Sequence, residues 1–225
     1  MSNPASKGVF ISFEGGDGSG KSTQIRKLCA HLRHHGIDVV QTREPGGTDG
    51  AEEIRSLVLK GDHSKWDGVT EALLMFASRR DHVVKKIRPA LEKGSFVVCD
   101  RFADSSMAYQ GIGGAVGEDK IDALTDLTVG DLLPDITFIL DVPPKIGLGR
   151  SKGRQNNVGE LRFESYAIEY HEKIREAFLT IARNNPKRCV VLDAMIPIDE
   201  LHERIVREVA SRYPHLDLLD EVKNG

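Results

Sequence analysis

The stretch Gly15-Gly16-Asp17-Gly18-Ser19-Gly20-Lys21-Ser22 has the spacing G-x-x-x-x-G-K-[ST]. Residue types in that order can cradle a polyphosphate. Glycines let the backbone curl until successive N–H groups face one anion, and a helix starting there adds the partial positive charge of its N-terminus. Lys21 can reach β- and γ-phosphates and the Ser22 hydroxyl can ligate Mg²⁺, so Gly15 to Thr23 is the candidate ATP-binding segment. The bland alternative, a glycine-rich turn with no ligand, is disfavoured by the full spacing. Asp17 is the odd member. A carboxylate there repels a phosphate unless it faces elsewhere, so its partner is a hydroxyl or a cation; a turn-favouring aspartate is the alternative.

Other residues in the chain can meet a second anion. Thr42-Arg43-Glu44-Pro45-Gly46-Gly47-Thr48 follows one apolar run, and Asp100-Arg101 ends another. Asp100 can orient Mg²⁺ or its waters, and Arg101 can grip a phosphate. Phe76 and Arg80 stand four residues apart, the spacing of one helix face. Each has a plainer reading: a surface Arg–Glu pair, an internal Asp–Arg ion pair, and a core ring with a snorkelling cation.

These residues need a scaffold. Five short apolar runs, at 9–14, 38–42, 96–100, 136–141 and 189–193, read as buried parallel strands. Helical patterns such as 23–35, 70–92 and 168–182 lie between them. The alternation predicts an α/β fold: a five-stranded parallel sheet flanked by helices in three layers, with ligands at the carboxyl ends of the strands. The whole chain, 1–225, reads as one such domain. The segment 149–159 is basic and non-periodic, which predicts a mobile lid, and the tail after Tyr213 is expected to fray. Cys29, Cys99 and Cys189 lack metal-site spacing; Cys99 and Cys189 read as small buried hydrophobes, which suits a reducing compartment and the cytosol. The run 8–13 is too short for a signal peptide or a membrane span. A net charge of -3 argues against bulk nucleic-acid binding.

Taken together, F-E-G-G-D-G-S-G-K-S-T, T-R-E-P-G-G-T, L-M-F-A-S-R-R, D-R-F-A-D-S-S-M-A-Y-Q-G and L-D-V-P resemble thymidylate kinase, a P-loop nucleoside monophosphate kinase family. The match runs in order over nearly the whole chain, and R-E-P-G-G with D-R…A-Y-Q-G is its most specific part. The resemblance implies ATP- and Mg²⁺-dependent phosphorylation of dTMP to dTDP, feeding dTTP for DNA synthesis, by a cytosolic homodimer. It implies that Asp17 binds the deoxyribose 3′-hydroxyl. Glu44 would lie near the metal or the acceptor sugar, with Pro45 shaping the turn through a cis bond. Arg55 and Arg101 would hold the acceptor phosphate. Phe76 would stack on thymine and Arg80 would bond its edge. Ser105 and Gln110 would complete the base pocket, and Tyr109 would crowd the sugar 2′ position. Ser22, Asp100 and Glu44 would serve the metal.

Two departures matter. Gly18 stands where some members carry an arginine, which resembles the bacterial type and implies a catalytic arginine in the lid, here about 149–163 with Arg150, Lys152 and Arg154. Arg154 is the first choice; Arg150 is the second, with adenine contact as its other role. Leu161-Arg162-Phe163-Glu164 lacks the leading aspartate of the family's D-R-[FI]-E. The rival readings are a kinase for uridylate or adenylate, and a P-loop switch that senses or hydrolyses nucleotide.

Overall fold

Each apolar run becomes a strand in the computed structural model, which describes residues 8–60, 65–152 and 167–219. The strands are β1 (Phe10–Glu14), β2 (Val39–Arg43), β3 (Phe96–Asp100), β4 (Ile136–Asp141) and β5 (Cys189–Asp193). They form one sheet in the order β2-β3-β1-β4-β5, every neighbouring pair parallel. Alternation along the strands separates two cores. Ile11, Phe13, Val98, Phe138 and Leu140 pack on one face with α1 (Lys21–His34) and α9 (Ile198–Arg212). Phe10, Val97 and Cys99 point to the other. Registry aligns the strand ends: Phe13 and Arg43 both sit beside Asp100, and Asp141 beside Asp193. The residues with chemistry therefore gather along one edge of the sheet.

The remaining helices are α2 (Asp49–Leu59), α3 (Gly68–His82), α4 (Arg88–Glu92), α5 (Ala103–Ser106), α6 (Glu118–Val129), α7 (Pro144–Lys152) and α8 (Ile168–Asn184). The helical pattern 70–92 is α3 and α4 joined by a π-helical turn at Val83–Ile87. A second π-helical turn, Met107–Ile112, continues α5 and carries Tyr109 and Gln110. Thr48 caps α2, and Asp67 caps α3 by accepting from the Val69 and Thr70 N–H groups. Two expectations are corrected. Residues 149–152, taken as the start of a non-periodic lid, are the last turn of α7. The tail does not fray at Tyr213: Leu218 is buried, and its carbonyl meets His31 Nε2 at 2.8 Å. Among the described residues no helix is long and apolar enough to cross a membrane.

Cys29, Cys99 and Cys189 are all free and buried. On the α1–α9 face, the His31 ring lies against His35 and His202, with centroids 4.5 and 5.8 Å away. His202 Nδ1 is buried with no partner. Burial, with the charges of Lys27 and His31, pushes the His202 imidazole down to about 4, against the pull of Asp199. The fold thus holds a neutral ring, whereas the unfolded chain protonates near pH 6.5. Its contribution is complete above pH 6.5 and is lost as pH falls toward 4. Urea unfolding of His202→Phe should accordingly show a shallower loss of stability than the wild type across that interval; parallel curves would reject the assignment.

Candidate active site

The loop between β1 and α1 has the conformation its glycines predict. Gly15, Gly18 and Gly20 have φ of 122°, 71° and 95°, the left-handed region that favours glycine. Unlike α2 and α3, α1 has no side-chain cap and no acidic residue in its first turn. Its N-terminal N–H groups are therefore available to an anion. Lys21 Nζ folds back over the loop, donating to the Gly15 and Gly16 carbonyls at 3.0 and 2.9 Å. Burial and the nearby Arg101 charge push this lysine down to about 8, although Asp100 and Asp17 support its charged form. Ser22 Oγ donates to Asp100 Oδ2 at 3.1 Å. The two are hard oxygen donors at the loop mouth, with Ser22 exposed, and the pair fits Mg²⁺.

The lid side begins at α7. A Cβ on Gly18 would meet the Gly147 carbonyl oxygen at 1.9 Å, and one on Gly147 would meet the Asp17 carbonyl at 2.4 Å. Two backbones touch here, and the space for a side chain at position 18 is filled. Arg150 Nη1 donates to the Ala194 carbonyl at 3.1 Å, just beyond β5. Arg154 and most of the lid expected at 149–163 lie outside the described residues.

Asp17 meets a cation, one of the two partners its oddness allowed. Arg101 Nη2 donates to Asp17 Oδ1 at 2.9 Å and to the Tyr109 hydroxyl at 3.4 Å. Burial opposes ionisation of Asp17, but the charges of Arg101 and Lys21 outweigh it and hold the carboxyl below its usual range. The Arg101 guanidinium also lies 5.1 Å from the Tyr109 ring centroid. Its Nη1 donates to Ser105 Oγ at 3.0 Å, and Ser105 donates to Glu14 Oε2 at 2.5 Å. Ser105, expected in the base pocket, is thus placed between Glu14 and Arg101.

The expected base pocket needs further correction. Phe76 is 1% exposed, packed among Ala72, Val116 and Ile121, with the Arg79 guanidinium 4.6 Å from its centroid. It has no free face for a base and belongs to the core. Arg80 is exposed and donates to the Thr128 carbonyl at 3.0 Å. Its neighbour Arg79 points inward. Arg79 Nε donates to Glu44 Oε2 at 2.7 Å, and Nη2 donates to the Phe102 carbonyl and Ser106 Oγ at 3.0 Å each. Its Nη1 is buried with no partner. The helical pattern carried this signal: Ala72, Phe76, Arg79 and Val83 form one buried stripe, which the Phe76–Arg80 pair alone did not show.

Glu44 is 5% exposed and held by Arg79 and by His82 Nδ1 at 3.0 Å. Both carboxylate oxygens of the residue expected near the metal or the acceptor sugar are thus engaged by side chains of α3. The Glu44–Pro45 bond is cis, and the Pro45 carbonyl accepts from Arg55 Nη1 at 2.8 Å. Gln110 Nε2 donates to Glu71 Oε1 at 2.9 Å, both groups buried. Asp17, Arg101, Ser105 and Tyr109 are brought together beside the P-loop; Gln110 is placed with Glu71 on α3.

A P-loop with a second cationic set at the same sheet edge is the arrangement of a two-substrate phosphotransferase. The thymidylate kinase family model matches residues 13–205. The chain belongs to the thymidylate kinase family. It is 50% identical over 206 residues to the thymidylate kinase of Caulobacter vibrioides, covering 92% of this chain and 98% of that one. It is 50% identical over 199 residues to that of Afipia carboxidovorans, covering 88% and 87%. The crystal structure of thymidylate kinase from Ehrlichia chaffeensis superposes with a TM-score of 0.72 at 37% identity, covering 90% of this chain and 98% of that one. Membership makes this chain a nucleoside monophosphate kinase that acts on nucleotides.

The two adjacent arginines of α3 should separate in assay. Arg79→Ala leaves Glu44 buried beside a single partner and removes the orphan donor, so acceptor kcat/KM should fall by about 10²-fold or more. Arg80→Ala removes only an exposed contact and should stay within about threefold of wild type. Equal losses in steady-state kinetics would overturn the inward assignment of Arg79.

Proposed function

We propose that this chain transfers the γ-phosphoryl group of ATP to dTMP, giving ADP and dTDP. The observation that carries this reading is that two cationic groups act on Asp17: Lys21 on the P-loop and Arg101 just after β3. A nucleotide switch needs only the first. Lys21 and the α1 N-terminus hold the donor phosphates. Arg101, with Arg55 as its expected partner from the family resemblance, holds the acceptor phosphate and offsets its repulsion of the donor. Asp17, released from Arg101 when a phosphate takes its place, is free to accept from the 3′-hydroxyl of the sugar. The acceptor phosphate is already an anionic nucleophile, so no side chain need remove a proton. Ser22 and Asp100 would hold Mg²⁺, which when bound supplies positive charge to the phosphate oxygens.

The base-recognition role passes from Arg80 to Arg79, whose unpartnered Nη1 is a donor suited to a carbonyl oxygen on the base edge. Tyr109, packed at the Arg101 guanidinium, leaves little room for a ribose 2′-hydroxyl. The catalytic lid cation is assigned to Arg154. Support comes from the filled space at Gly18 and from Arg150, which is engaged at Ala194.

The homodimer is assigned to the outer face of α3. Val69, Leu73 and Val84 are 50%, 52% and 46% exposed, with Ala77 and Arg80 between them in the same stripe. Leu57 on α2 and Leu127 on α6 are also exposed, 47% and 78%. The cytosol is the compartment that suits three free thiols and this reaction.

Three measurements bear on the proposal. In a panel of monophosphates with ATP, ADP release should be fastest with dTMP. dUMP, lacking one methyl group, should be slower by about 10–200-fold in kcat/KM; faster turnover of cytidylate or adenylate would reject the acceptor. Lys21→Ala should lower kcat by about 10³-fold or more while the circular dichroism spectrum is unchanged. Leu73→Glu should sediment as a monomer where wild type sediments as a dimer, and a wild-type monomer would end the dimer assignment.

A further inference from the structure

Glu14 is the last residue of β1, wholly buried, and has no part in the mechanism above. Its two oxygens are spoken for. Oε1 accepts from the Phe102 N–H at 2.7 Å, and Oε2 meets Ser105 Oγ at 2.5 Å. The Ser105 oxygen accepts in turn from Arg101 Nη1 at 3.0 Å. Arg101 itself is held in the left-handed backbone region, with φ of 69°. That conformation disfavours a non-glycine residue and persists only where neighbours enforce it. Glu14 grips both sides of this residue, the peptide N–H just after it and the hydroxyl that receives its guanidinium.

We propose that Glu14 is a positioning residue for the acceptor phosphate, acting through Ser105 and the Phe102 N–H to aim the Arg101 guanidinium. The inference rests on the reading of Arg101 as the acceptor-phosphate ligand. Three features of the surroundings support it. Asp104 on α5 crowds Glu14 but is itself neutralised by Arg188, with contacts of 2.6 and 2.7 Å, so it does not compete for Arg101. Asp17 takes the other guanidinium nitrogen, Nη2, which leaves the Glu14–Ser105 arm as the fixed point when Asp17 lets go. Burial, with the charge of Asp104, pushes the Glu14 carboxyl up to about 8, against the Ser105 hydrogen bond and the Arg101 charge. The Glu14 carboxyl therefore orients its neighbours through short hydrogen bonds more than through net charge, and an amide of the same shape can replace it.

The test separates phosphate from base and sugar. Binding of dTMP and of thymidine is measured by calorimetry for wild type, Glu14→Ala, Glu14→Gln, Ser105→Ala and the Glu14→Ala/Ser105→Ala double variant. Losing the hold on a charged group should weaken dTMP binding by about 10–100-fold in Glu14→Ala and Ser105→Ala. Thymidine, which has no phosphate, should bind all variants within about threefold of wild type. Glu14→Gln should keep dTMP affinity within about fivefold of wild type. The double variant should lose no more than the weaker-binding single variant, because both act on one guanidinium. Equal losses for dTMP and thymidine, additive losses, or an unaffected Ser105→Ala would overturn the relay. Should Glu14→Ala fail to fold, Ser105→Ala and Glu14→Gln still decide it. Failure of wild type to favour dTMP over thymidine would instead sink the acceptor reading on which the relay rests.

Discussion

The ion pair between Asp17 and Arg101, 2.9 Å long, ties together two loops that the sheet alone would leave separate. One follows β1 and carries the P-loop; the other follows β3 and carries Arg101. Their strands are neighbours, and the Arg101 N–H donates to the Phe13 carbonyl at 2.9 Å, so the backbone sets the approach before any side chain closes it. The Cys99 thiol donates to the Arg101 carbonyl, and Tyr109 lies under the guanidinium. A strained backbone is over-determined from several directions, as expected where a charged group must keep a set orientation. In the transfer proposed above, which asks the protein mainly for alignment and charge, that fixed orientation would be the contribution of Arg101.

Behind this pair lies an ordered set of buried acids. Glu14, Glu44 and Asp104 are 0%, 5% and 6% exposed, and each has its own basic partner or relay. Glu44 has Arg79 and His82, Asp104 has Arg188, and Glu14 reaches Arg101 through Ser105. Buried carboxylates left alone would cost several kcal/mol apiece, so removing one partner exposes the next group to that penalty. The pairs are also separate: among the described residues, Arg79 bonds Glu44 and Arg188 bonds Asp104. Positioning can then be distributed without one proton change disrupting every site. Lys21 is the contrasting case. It is buried against carbonyls of its own loop, and burial with the Arg101 charge pushes it down to about 8, against the support of Asp100 and Asp17.

The P-loop, the parallel sheet and the carboxyl-edge location of the site were legible in the sequence. They are encoded locally, in glycine spacing, in apolar runs of strand length and in the acids that end them. Three strands were bounded correctly, β1 was off by one residue at its start and β2 by one at both ends, because hydrophobic runs mark burial while pairing registry sets the ends. Asp17 was legible as an electrostatic misfit, because repulsion between a carboxylate and a phosphate holds whatever the fold. What tertiary structure decided was direction. Phe76, Arg79 and Arg80 share one helix, and only packing against the segment after β3 and against α6 turned Arg79 inward, closed Phe76 into the core and left Arg80 in the exposed stripe. Glu44 looked like a metal ligand until Arg79 and His82 enclosed it. Glu14 looked like the end of a strand until Phe102 and Ser105, 88 and 91 residues further along the chain, converged on it. Residue type and local spacing determine which chemistry a chain can hold. Which side chain faces the reacting groups depends on contacts between distant segments, and no local pattern contains them.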